Sequence, residues 1–94
     1  MTVKDMALTR ADLLRLLPGA VGALPWRAEA DTIRIGNEDD ASGVDLRIEP
    51  LPPRRFGPVE IPRLRVSFVF RGWDEAERRA FLARFDRAFQ RGGG

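Results

Sequence analysis

The apolar positions of this chain repeat with two periods. From Arg63 to Arg71, Leu64, Val66, Phe68 and Phe70 alternate with Arg63, Arg65, Ser67 and Arg71. That period of two marks a strand with one buried face. Gly72 breaks the alternation, and Asp74 with Glu77 then forms a D-x-x-E helix start, a relative of the capping box. From there to Gln90, residues Phe81, Leu82, Phe85, Ala88 and Phe89 fall on one arc about 120° wide. The two faces together hold five of the six Phe residues, so the core is expected between them.

Upstream, Thr9 reads as a helix N-cap with Asp12 three residues on, and Leu8 and Leu13 stand at hydrophobic-staple positions. Leu13, Leu14 and Leu17 share a face, and Pro18-Gly19 is predicted to stop this helix after about two turns. Trp26, Ala28 and Ala30 alternate, as do Ile33 and Ile35, but the two sets are out of phase. One strand with a β-bulge near Asp31-Thr32 reconciles them. A turn-rich stretch from Gly36 to Gly43 follows, and Val44, Leu46 and Ile48 then alternate with Asp45, Arg47 and Glu49 as a second strand.

Register follows from matching faces. A hairpin tip at Gly57 sets Ile48 opposite Val66, Leu46 opposite Phe68, Val44 opposite Phe70, Glu49 opposite Arg65, Arg54 opposite Glu60 and Pro52 opposite Pro62. The preceding hairpin sets Ile35 opposite Val44, Ile33 opposite Leu46 and Arg34 opposite Asp45. The expected fold is α+β, a two-layer sandwich. Its order is helix, three-stranded antiparallel meander and long C-terminal helix, with both helices on one sheet face. Residues 1–94 are read as a single domain, with 1–7 and 92–94 disordered.

Composition narrows the function classes. The 94 residues are 44% hydrophobic, enough for a real core. No apolar run approaches the ~18 residues of a membrane span, and the N-terminus carries no apolar segment of signal-peptide length. Together with the absence of Cys, this gives a cytoplasmic expectation with no membrane partner. The isoelectric point near 10.3 overstates the basicity. The formal net charge is +2, and with no His, Cys or Tyr little titrates between the carboxylates and the Arg side chains. Charge is uneven along the chain: residues 1–46 hold 5 basic and 8 acidic groups, residues 47–94 hold 11 and 6. Lys4 is the sole Lys, an Arg bias that a GC-rich, bacterial-like genome also produces.

Candidate chemistry is sparse. Neither His nor Cys is present, and Ser42 and Ser67 have no base expected beside them. The carboxylates lie in turns, caps or outward strand positions, so no enzyme and no cofactor is expected. The acidic turn offers Glu38, Asp39 and Asp40 as weak hard-cation ligands. It lacks the terminal Glu and glycine spacing of an EF-hand, and a solvated turn is the favoured reading.

The Arg residues carry the remaining signal. Arg63 and Arg65 share the outer sheet face with Arg47 and Arg71, opposite Asp45 and Glu49, with no aromatic among them; that disfavours nucleic acid, which uses exposed rings for stacking. Arg84, Arg87 and Arg91 line one flank of the long helix beside the small residues Ala76, Ala80 and Ala83. The tip Arg54-Arg55-Phe56-Gly57-Pro58 joins an aromatic to two Arg, the residue types that anchor protein interfaces, on proline-stiffened arms. Phe56 is either such an anchor or a seal folded back onto Trp26 or Leu24. The function expected is a small non-enzymatic binding or adaptor domain acting through protein–protein contacts, self-association as a homodimer included. The alternatives are a weak RNA- or DNA-binding module using the Arg-rich C-terminal half, and an accessory subunit supplying Arg residues to a partner enzyme.

Overall fold

The computed structural model describes residues 2–36 and 41–92. In chain order the elements are β1 (Thr2–Met6), α1 (Arg10–Val21), β2 (Trp26–Glu29), β3 (Thr32–Ile35), β4 (Gly43–Phe56), β5 (Val59–Arg71) and α2 (Glu75–Gly92). The strands form one antiparallel sheet in the order β1-β5-β4-β3-β2. The class is α+β as expected, but the sheet has five strands where the patterning predicts three.

Two of the differences have local causes. Residues 26–35 are not one bulged strand but a tight hairpin. Trp26 pairs with Ile35 and Ala28 with Ile33, so the phase change between the two apolar sets is a reversal of direction. The turn places Ala30 at φ 52°, a left-handed conformation unusual for a residue with a Cβ, and Arg10 donates to the Ala30 carbonyl oxygen. Residues 2–6, expected to be loose, are a strand paired with β5, from Thr2 opposite Phe68 to Met6 opposite Leu64. The inward position Lys4 is charged, which masks the alternation; its amine reaches Asp86 of α2 at 2.9 Å, keeping the head at the rim.

Helix α1 also runs past the predicted stop. Thr9 caps it, its hydroxyl oxygen accepting from the Asp12 amide at 3.1 Å. Pro18 lies inside the helix, which continues to Val21 and closes with the Gly22 amide donating to the Pro18 carbonyl oxygen at 3.1 Å. The added turn buries Ala20 and Val21 in the core, and that gain opposes the loss of the proline's own hydrogen bond. At α2 the capping box is reciprocal. The Glu77 amide donates to Asp74 Oδ1 at 2.8 Å, and the Asp74 amide donates to Glu77 Oε1 at 3.2 Å.

The predicted registers hold in the body of the sheet, including Ile48 with Val66, Leu46 with Phe68 and Ile33 with Leu46. An irregularity between Leu51 and Arg54 then shifts the tip by one residue. Arg55, not Arg54, faces Glu60, and Arg54 faces Ile61 in place of the expected Arg54–Glu60 and Pro52–Pro62 pairs. Prolines at 52 and 53 explain the shift, since neither can donate to the ladder. One core joins Leu13, Leu17 and Val21 of α1 and Phe81, Phe85 and Phe89 of α2 to the inward residues of β3, β4 and β5. Both helices thus cover the same sheet face. β3 covers β4 only as far as Arg47, and β1 covers β5 only over Leu64–Phe68. Beyond these limits β4 and β5 continue as a two-stranded arm with no further strand paired to either edge among the described residues, and the molecule measures 48 × 25 × 22 Å.

Candidate interaction surfaces

The sheet face away from the helices carries the predicted candidates Arg63 and Arg65, and the fold adds a partner that the sequence reading missed. Asp5, brought alongside by β1, lies 3.4 Å from Arg63 and 3.7 Å from Arg65. Arg65 also reaches Glu49 at 3.7 Å. Arg34 and Arg71 converge on Asp45 at 3.6 and 3.3 Å. Pairs this exposed contribute on the order of 0–1 kcal/mol each, but they offset much of the face's positive charge. Arg71 and Asp45 are the less exposed exception. Arg71 Nη2 also points at the Ile35 carbonyl oxygen at 3.4 Å, so the side chain ties β5 to the start of the β3–β4 connection. Arg71 Nε and Asp45 Oδ1 are buried without a hydrogen bond of good geometry, consistent with a charge contact rather than a bonded fork. Ser67 has Arg47 and Val3 as cross-strand neighbours.

At the end of the arm stand Arg54, Arg55 and Phe56. Phe56 is 58% exposed and Val59, directly opposite, 55% exposed. Phe56 does not fold back onto Trp26 or Leu24. Trp26 packs against the core at the other edge of the sheet, where its strand partner is Ile35. Phe56, Arg54, Ile61 and Arg63 instead line a groove of about 270 Å³ with Asp5, Met6 and Ala7. Strand alternation puts Phe56, Val59 and Ile61 on one face. Val59 and Ile61 were missed as members of this patch because the one-residue shift at the prolines changes which residues share its face. Arg55 pairs with Glu60 at 3.6 Å, and Arg54 has no carboxylate across from it.

The third candidate region is the flank of α2. Arg84 and Arg87 line a groove between the two helices together with Arg15, Leu16, Gly19, Ala88 and Gln90. The side chain of Arg91 lies outside the described residues. Ala76, Ala80 and Ala83 remain exposed; Ala80 borders a shallow groove with Ala20 and Val21 of α1, and Gly19 of α1 approaches α2 at Ala88. The weak cation candidates Glu38, Asp39 and Asp40 also lie outside the described residues. Among the described residues no three His, Cys, Asp or Glu side chains cluster as a metal site, and no helix is long and apolar enough to cross a membrane. No protein-family model matches the chain, and no curated protein or solved structure matches it.

Proposed function

We propose that this chain is a small non-catalytic binding domain whose contact surface is the end of the β4–β5 arm. The observation that carries the reading is the exposure of Phe56 and Val59 on a projecting hairpin, flanked by Arg54, Arg55 and Arg63. Aromatic residues and arginines are the types enriched at interface anchors, and Arg54 and Arg63 share a groove with Phe56. The strand ladder holds it in place before contact, which lowers the ordering cost of association. A second copy of the chain is one such partner. Another is an enzyme subunit whose anionic substrate meets Arg54 and Arg55.

The reading is tested with the purified chain and its Phe56→Ala, Arg54→Ala and Arg55→Ala variants, singly and combined. Sedimentation equilibrium follows self-association, and wild-type and triple-variant baits compare retained proteins. Loss of a specific association at an unchanged thermal midpoint supports the reading; a triple variant that associates like wild type ends it. Nucleic acid is distinguished by salt. Binding to RNA or DNA that falls steeply on a log–log salt plot through counterion release would move the assignment to that class.

A further inference from the structure

The groove between α1 and α2 is separate from the arm. Its floor is Leu16, Gly19 and Ala88, its walls are Arg15 on one helix and Arg84 and Arg87 on the other, and it is a shallow groove open to solvent, with a volume of about 920 Å³. The floor is low because two small residues meet there: a Cβ on Gly19 would lie 3.9 Å from the Ala88 Cβ. None of the residues lining it is acidic. The carboxylates of the two helices are engaged: Asp12 with Arg15 at 3.3 Å, Glu75 with Arg79 at 2.6 Å, Glu77 in the α2 cap and Asp86 with Lys4 at 2.9 Å. Only the first of these touches a groove arginine. Arg84 and Arg87 are three residues apart on one helix face, where like charges repel. The Arg84 guanidinium also lies beside Gly22, just past the last turn of α1, where the negative end of the helix dipole favours it. Positive charge is thus gathered on both sides of an apolar floor: Arg15 has Asp12 as its counter-charge, while Arg84 and Arg87 have no ion pair among the described residues.

We propose that this groove receives an acidic amphipathic helix from a protein partner. Two helices packed side by side leave a channel along their axes, and a third helix fits it with an apolar stripe down and polar flanks up. Leu16, Gly19 and Ala88 meet the stripe, and Arg15, Arg84 and Arg87 meet Glu or Asp side chains on its two flanks. The charge arrangement selects this occupant: arginines on both walls suit a ligand acidic on both flanks and apolar between them. Nucleic acid fits less well, because no aromatic side chain lines the groove for base stacking. The inference does not depend on the arm, and the two surfaces are separable by mutation.

The probe is a fluorescent synthetic helical peptide with leucines at i, i+3, i+4 and i+7, flanked by glutamates, read by fluorescence anisotropy against the full chain. The expected result is saturable binding that is weakened at least about tenfold by Arg84→Glu with Arg87→Glu, and by Gln in place of Glu in the peptide. Phe56→Ala leaves it unchanged. Both arginines are exposed, so the variant keeps its fold, which circular dichroism checks; Arg84→Gln with Arg87→Gln provides a milder second variant. The proposal is overturned by equal binding of the Gln peptide, by unchanged affinity in both double variants, by tighter binding of single-stranded DNA than of the acidic peptide, or by no binding up to about 1 mM peptide.

Discussion

Phe85 has no exposed surface, and its ring lies 5.0 Å from that of Phe68, edge to face, and 4.4 Å from that of Phe89. It therefore joins α2 to the middle of β5. Phe85→Ala is expected to cost about 3–5 kcal/mol, a large share of the roughly 5–15 kcal/mol typical of a domain. Urea denaturation measures it, and a loss below about 1 kcal/mol would contradict this packing. Asp74 acts through a different term. It satisfies the Glu77 amide, which has no partner within the helix, and its carboxylate sits at the positive end of the helix dipole. Asp74→Ala is expected to lower stability by about 0.5–2 kcal/mol, whereas Asp74→Asn, which keeps the acceptor, loses much less. Arg78, within the apolar arc by spacing, is exposed, as its place in the first turn allows. Both caps and the Phe face were legible in the sequence because each is a short-range pattern with a single geometric solution. The exposure of Phe56 was not, because that depends on how far the hairpin outruns the helices.

At the scale of elements, what the sequence showed and hid follows from how each element is stabilised. β4, β5 and α2 are long and strongly periodic, so their buried faces could be read directly, and so could the β4–β5 register as far as Leu51, beyond which the prolines shift it. β1 is five residues long and carries Lys4 inward, so its evidence is tertiary: a pairing with β5 that runs from Thr2–Phe68 to Met6–Leu64, far apart along the chain. That omission also hid Asp5 as the partner of Arg63 and Arg65. The β2–β3 turn was missed because its left-handed position is filled by Ala30 rather than Gly or Asn. Pro18 misled for the opposite reason, as a strong local stop signal outweighed by the burial of Ala20 and Val21 one turn later. Pro18→Ala should accordingly raise stability by about 1–2 kcal/mol. It restores a helix donor and improves propensity, partly offset by a more flexible unfolded chain. A thermal melt with an unchanged or lower midpoint would show that the proline is fully accommodated.

For the whole molecule, the arm and the body do different work. The body holds the shared core, while the end of the arm lies outside it. Phe56→Ala should accordingly leave the thermal midpoint nearly unchanged, where Phe85→Ala lowers it by many degrees. That contrast between two Phe→Ala variants, read in one calorimetry experiment, separates contact surface from core. Arm-mediated association should also weaken only modestly between low and physiological salt, since its anchor is apolar and Arg55 already has Glu60 beside it.

The bare edges of the arm have a consequence for solubility. The Ile48 amide donates to the Asp31 carbonyl oxygen, away from β5. By strand alternation, Pro50 stands where the next outward donor would be, and Pro62 holds the equivalent position on β5. An exposed two-stranded ribbon is otherwise a template for strands of other molecules, and amyloid-like stacking begins at such edges. Replacing Pro50 and Pro62 together with Thr should leave the core intact yet give thioflavin-positive aggregates on concentration, where the wild-type chain stays clear. The prolines that bend the pattern in the sequence would then act as gatekeepers, letting a hairpin extend into solvent without polymerising.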